Sequence, residues 1–217
     1  LYKAIRQLSE IDKEILEKQD LIEKLLEELM DDELKKLLED LEKRRIPISK
    51  LNEQLKSAPD LRGAYKSLSK PGMRLIAEIK RSSPSKGALA EIDDAKSLAS
   101  KYQEGGADVI SVLTEERRFK GSISDLIDVR NSIELPVLRK DFIVTEYQVL
   151  ESRVLGADLI LLIVAALTDS QLKDFYQLST ELGMDVLVEV HDLDEAEKAF
   201  WLFLSFLHSQ GVVVAYN

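Results

Sequence analysis

The chain has no cysteine. That excludes a disulfide framework, thiolate nucleophiles and cysteine-ligated metal, and it fits a reducing compartment. Positive charge is in deficit: 30 Lys and Arg stand against 40 Asp and Glu, a formal −10 at pH 7. Nucleic-acid binding needs a basic patch, so no nucleic-acid partner is expected. A small anionic substrate is still allowed, because a few lysines in a cleft outweigh a distant acidic surface. Long apolar runs are also missing. Leu159–Leu167 and Phe200–Leu207 are both too short to span a bilayer, and no membrane partner is expected. Of the two histidines, His208 has no ligand at metal spacing, so no metal is expected; His191 follows Glu189 as a shuttle would, but a lone loop histidine reads rather as structural or solvated. Leu1 is not a methionine and no signal-type apolar core follows it, which reads as a processed or truncated product.

Neither proline nor glycine occurs before Pro47. Over residues 1–46 apolar side chains recur at helical spacing: Ile5, Leu8, Ile11, Ile15, Ile22, Leu25, Leu29, then Leu34, Leu37 and Leu41. Asp31 and Asp32 are placed to cap a second helix. The period drifts at 3.6 and does not hold heptads, which favours packed amphipathic helices over a coiled-coil partner helix. Pro47, Pro59 and Pro71-Gly72 punctuate a helical connector, so residues 1–70 read as an N-terminal helical extension and 71–217 as a second domain.

From Met73 onward the texture changes. Short apolar runs read as strands at Arg74–Lys80, Asp108–Leu113, Pro136–Lys140, Asp158–Val164 and Asp185–Val190. Helices read at Asp93–Glu104, Ser122–Asn131, Glu146–Leu155 and Ser170–Leu182, with another starting at Asp194. Gly106-Ala107-Asp108, Gly156-Ala157-Asp158 and Gly183-Met184-Asp185 recur where a helix ends and a strand begins, as a left-handed glycine terminator would. Successive βα units without an antiparallel hairpin leave a barrel or a doubly wound sheet. No Gly-x-Gly-x-x-Gly follows a strand, so the fold expected is α/β, of (βα)8 TIM-barrel type, incomplete at about five units.

Charged side chains gather at the carboxyl ends of alternate strands: Glu78 and Lys80 on the first, Lys140 on the third, Glu189 on the fifth. Glu78 and Lys80 are two apart and so share one strand face. Barrel enzymes carry their sites at that end, so two lysines and two carboxylates are expected to converge on one cleft. An ion-paired cluster of purely structural value is the competing reading, and imperfectly paired buried charge is costly. Phe119 and Phe142, in the loops after the second and third strands, are candidate walls for an apolar or aromatic substrate.

The segments LIAEIKRSSPSKG, SVLTEERRFKGS, PVLRKDFIV, ADLILLIVAAL and LVEVHD resemble the indole-3-glycerol phosphate synthase family over about Leu75 to Asp192. The resemblance implies a (βα)8 barrel that closes the ring of a carboxyphenylamino-deoxyribulose phosphate with loss of CO2 and water, without a cofactor. By motif, Lys140 matches the general acid of ring closure and Glu189 the base of dehydration. Lys80 matches a lysine that holds the substrate carboxylate or acts as a later acid, and Glu78 positions its neighbours. Ser83 matches a phosphate contact, and Phe119 and Phe142 match walls around the anthranilate ring. The partner implied is thus a small phosphorylated molecule.

After LVEVHDLDEAEKAF the likeness stops, and the chain reads WLFLSFLHSQGVVVAYN. Gly211–Asn217 could pair as a makeshift sixth strand. The expectation is a truncated or aberrantly spliced chain with impaired turnover. A non-catalytic partial barrel that self-associates through its open edge is the alternative. The protein is expected to be soluble, in the plastid stroma if the plant-like N-terminal region is a guide and cytoplasmic otherwise.

Overall fold

The computed structural model describes residues 32, 34–84, 87–89, 91–203 and 212–216. The expectations placed on residues 1–31, including the Asp31 cap, and on His208 lie outside them. The chain divides into two compact units, residues 1–47 and 48–217. In the first, residues 34–44 are helical (α1), and exposed pairs three residues apart, such as Asp40 with Lys43 at 2.9 Å, line its surface.

The second unit begins with two short helices, α2 (Ile48–Leu55) and α3 (Ala64–Leu68). The strands and helices then alternate: β1 (Ile76–Ile79), a hairpin of β2 (Ser82–Ser83) and β3 (Gly87–Ala88), α4 (Ala95–Glu104), β4 (Val109–Leu113), α5 (Ile123–Ser132) and β5 (Val137–Lys140). They continue through α6 (Glu146–Val154), β6 (Leu159–Ile163), α7 (Asp169–Glu181), β7 (Asp185–Val190), α8 (Leu193–Phe203) and β8 (Val212–Tyr216). Six strands form one parallel sheet in chain order, β1-β4-β5-β6-β7-β8. A parallel neighbour in chain order needs a crossover each time, and α4 to α8 supply it. The sixth strand does form, against β7. The reading of βα units free of any hairpin needs correction, because β2 and β3 pair antiparallel within the SSPSKG loop. Gly87, at φ +66°, takes the left-handed turn there, and the Ser82 hydroxyl donates to its carbonyl at 3.0 Å.

Strand alternation divides the core into two faces. Ile110, Val112, Ile160, Leu162, Val186 and Val188 pack under the helices. Val109, Leu138, Leu159, Leu161 and Leu187 face the other way, where Ala64 and Leu68 of α3 cover them. Both faces are covered, so the strands read as nearly continuous aliphatic runs, VISVL and LILLI.

The glycine-x-Asp repeat works at both of its ends. Gly106, Gly156 and Gly183 have φ near +80 to +90°, as terminators of α4, α6 and α7. The aspartates do a second job that periodicity does not reveal: each accepts backbone N–H groups from the connector before β1. Asp108 accepts from Leu75 at 2.9 Å, Asp185 from Tyr65 at 2.8 Å, and Asp158 from Arg62 at 2.6 Å and also from Val137 at 2.8 Å. The Arg62 guanidinium then donates to the carbonyls of Leu135 and Arg130. Residues 62–75 are thereby latched along the amino ends of the strands.

Burial pushes the Asp158 carboxyl up to about 7, against the pull of the Val137 N–H and the guanidiniums of Arg130 and Arg153. A carboxyl raised on folding adds stability that is present below its unfolded value and is lost as pH rises through the folded one. Glu78 and Asp108, whose carboxyls are held low, act below that window. The urea midpoint is therefore expected to be higher at pH 5 than at pH 8, and Asp158→Asn is expected to flatten that slope. An equal slope in both proteins would show that Asp158 does not titrate there.

Candidate active site

The inward face changes character along its length. At the amino ends it carries Ile76, Val109, Leu138, Leu159 and Leu187; toward the carboxyl ends it carries Glu78, Ser111, Lys140 and Glu189. The same alternation that buries the aliphatic layer thus aims these polar groups into one space.

Lys140 is the centre of it. Its Nζ lies 3.3 Å from Glu78 Oε2 and 3.7 Å from Glu189 Oε2. Lys80, just past β1, sits 2.5 Å from the other oxygen of Glu78, and the Ser111 hydroxyl donates to Glu78 at 3.5 Å. Burial alone would raise the Glu78 carboxyl, but the two ammonium groups outweigh it and hold the carboxyl below its ordinary value. Two ammoniums and two carboxylates give a quartet of no net charge. Glu189 is buried, while the other three are half-buried and reachable from the carboxyl end. Glu189 is the penultimate residue of β7 and does not close it, since Val190 follows.

Phe119 and Phe142 also meet, with ring centroids 6.4 Å apart, and the Arg118 guanidinium lies 5.7 Å from the Phe142 ring centre. The loop that carries Phe119 is built around a buried carboxylate: Glu115 accepts the backbone N–H groups of Arg117, Arg118 and Phe119 at 2.7 to 3.2 Å. Lys120 then takes φ +56°, and a Cβ on Gly121 would fall 2.1 Å from the Leu113 carbonyl oxygen, so only glycine fits. Arg81, just after β1, reaches the first turn of α5 beyond this loop through two bonds to Asp125 at 2.6 and 3.1 Å. Ser83 stands in β2, in register with Gly87, in the hairpin that follows Lys80.

One group that sequence reasoning passed over holds the site from behind. Arg139 precedes Lys140, so it points to the helix side and is fully buried. It donates to Glu151 at 2.9 Å and Ser152 at 3.1 Å on α6, to Asp141 at 2.9 Å and to Thr114 at 3.2 Å. Asp141 also takes the Thr114 hydroxyl at 2.7 Å and the Phe142 N–H at 2.9 Å. Burial works against the Arg139 charge, but Asp141 and Glu151 more than offset it. The available signal was a charged residue in the odd register of a strand that is otherwise apolar on that face. His191, read from the sequence as structural or solvated, has its Nε2 3.4 Å from Glu189 Oε1 and its Nδ1 3.2 Å from Glu195 Oε2. Among the described residues no cluster of three metal-ligating side chains occurs, and no helix is long and apolar enough to cross a membrane.

Residues 26–207 match the family model described as indole-3-glycerol phosphate synthase. The indole-3-glycerol phosphate synthase of Paenarthrobacter aurescens is 53% identical over 178 residues, which is 79% of this chain and 65% of that protein. That of Micrococcus luteus is 54% identical over 167 residues, 74% of this chain and 62% of that protein. That of Rhodococcus opacus is 55% identical over 143 residues, 66% of this chain and 53% of that protein. The chain spans less than two thirds of the length of these relatives. All three are bacterial proteins and lend the plastid expectation no support.

Removing the guanidinium would leave Asp141 and Glu151 buried and uncompensated, a loss of roughly 3–5 kcal/mol. Arg139→Ala is expected to lower unfolding free energy by about that amount in urea titrations. A change under about 1 kcal/mol would mean that the network holds nothing.

Proposed function

The chain belongs to the indole-3-glycerol phosphate synthase family, and on that premise we propose that its quartet performs the ring closure, decarboxylation and dehydration of 1-(2-carboxyphenylamino)-1-deoxyribulose 5-phosphate. The observation that carries the reading is the Lys140 ammonium placed between two carboxylates, Glu78 and Glu189, at the carboxyl ends of alternate strands.

In this reading the ring carbon that bears the carboxylate attacks the ketone carbon, and Lys140 gives its proton to the ketone oxygen. CO2 then leaves, and its bonding electrons restore the aromatic ring. Glu189 next takes a proton from the methylene carbon beside the nitrogen while the hydroxyl departs as water. Lys80 holds the substrate carboxylate or supplies the proton for that departure. Glu78, in contact with both ammoniums, fixes their positions. The sequence balances without an oxidant or reductant, so no cofactor is called for. Phe119 and Phe142 wall the anthranilate ring, and Ser83 contacts the phosphate. Half-burial supports the assignment, since ammonium groups fixed where charge develops need no reorganisation during the reaction.

Six strands are described, and the main phosphate loops of such barrels follow strands seven and eight. The reading therefore includes impaired turnover on this chain alone, with a raised KM. A second reading, a non-catalytic partial barrel that self-associates, is favoured by one observation: among the described residues β1 and β8 are each paired on one side only.

Indole fluorescence followed with this substrate separates the two. The chain is expected to turn over, and Lys140→Ala to lose about 10²- to 10⁴-fold while still folded. A folded chain that is silent in both forms, and larger than a monomer in solution, would support the second reading.

A further inference from the structure

His191 lies between the quartet and solvent. The two oxygens of Glu189 face different partners: Oε2 lies 3.7 Å from the Lys140 ammonium, and Oε1 lies 3.4 Å from Nε2 of His191. The other ring nitrogen, Nδ1, lies 3.2 Å from Glu195 Oε2, and that same oxygen accepts the His191 backbone N–H at 2.8 Å. Glu195 is held in turn, because its N–H donates to Asp192 at 2.7 Å. The imidazole is thus oriented by α8 against the carboxylate assigned as base, yet its side chain is 42% exposed. The charged groups facing the ring are Glu189 from β7 and Glu195 from α8, with Lys140 and Asp192 one contact further out.

The stoichiometry gives such a connection a use. A carboxylate leaves as neutral CO2, so each turnover takes up one proton net. Two ammoniums give protons, to the ketone oxygen and to the departing hydroxyl, while one carboxylate receives a proton from carbon. The site ends each cycle one proton short.

We propose that His191 is the relay through which that proton enters, passing from solvent across the imidazole to Glu189, on to Lys140 and, through Glu78 between the two ammoniums, to Lys80. This deepens the ring-closing reading and rests on it. As Nε2–H gives its proton to Glu189 Oε1, Nδ1 takes a replacement that Glu195 Oε2 passes on from solvent, and the half-exposed ring then exchanges its protons with water to regain the first tautomer. From Oε2 Glu189 returns first the proton taken from carbon and then the one from solvent to Lys140, and Glu78 passes one of the two on to Lys80. His191 acts through Glu189, so it is a positioning and relay residue. The 3.4 Å contact has to shorten for transfer, as such contacts commonly do when substrate binds.

The test is steady-state turnover of the full chain and His191→Gln, with and without added imidazole. The variant is expected to lose about tenfold in kcat at unchanged KM, and imidazole is expected to restore the rate in the variant and leave the parent chain unaffected. His191→Asn, if the glutamine variant does not fold, should behave the same way. Undiminished kcat in the variant overturns the relay and leaves the ring-closing reading standing. A loss that imidazole does not restore also overturns it, by assigning His191 to packing. No turnover by the unsubstituted chain overturns the ring-closing reading, and the relay with it.

Discussion

A guanidinium without a solvent-exposed atom must find its counter-charges inside the protein, and Arg139 finds two carboxylates, a serine and a threonine. Such a network tolerates little slippage, because each displaced partner would be left polar and dry. Its most important effect falls on a residue it does not touch. Consecutive strand residues point to opposite faces, so anchoring Arg139 toward α6 obliges Lys140 to face inward. Asp141 then ties the next peptide, and with it Phe142, to the same anchor. A shift of register by one residue would bury the lysine among helices and turn the guanidinium into the site, so the pairing of β5 with its neighbours is strongly specified.

The site is neutral within a protein of strong negative charge. Its two ammoniums are already paired, so attraction for any anion would come from rearranging those pairs and not from a free positive field. Glu78 is central to that balance, since its carboxylate is low enough to keep both lysines company yet is shared between them. A substrate carboxylate near Lys80 would compete with Glu78 for the ammonium, which makes binding an exchange of ion pairs in a half-buried space. Exchange of this kind selects for charge at the right point and penalises neutral analogues, because the displaced group must be left satisfied.

Much of this was legible in the chain. Apolar runs located five of the strands, three of them opened by glycine-x-Asp, and the positions of Glu78, Lys80, Lys140 and Glu189 at the carboxyl ends of alternate strands pointed to one shared cleft. Strand parity applied to Arg139 would have sent it outward, but its partners Glu151 and Ser152 lie on the following helix, where nothing in the periodicity distinguishes them from solvated positions. The latching role of Asp108, Asp158 and Asp185 was hidden for a related reason. The glycine of each repeat acts on its own helix and is read locally, whereas the aspartates bond to residues 62, 65 and 75, up to 120 positions away. The β2–β3 hairpin escaped because two-residue strands made of serine, glycine and alanine carry no hydrophobic alternation.

The span of those latches bears on how the chain is made. Tyr65 leaves the ribosome well before Asp185, and at about 5–20 residues per second the interval is roughly 6–24 s. For that time the connector has no carboxylate to receive its amides, and the apolar residues of α3 have only part of the layer they will cover. The amino-terminal end of the sheet therefore closes late, after β6 and β7 have been synthesised, and the elements translated first are among the last to be secured. Long-range closure of this sort makes folding slow in proportion to its sequence separation.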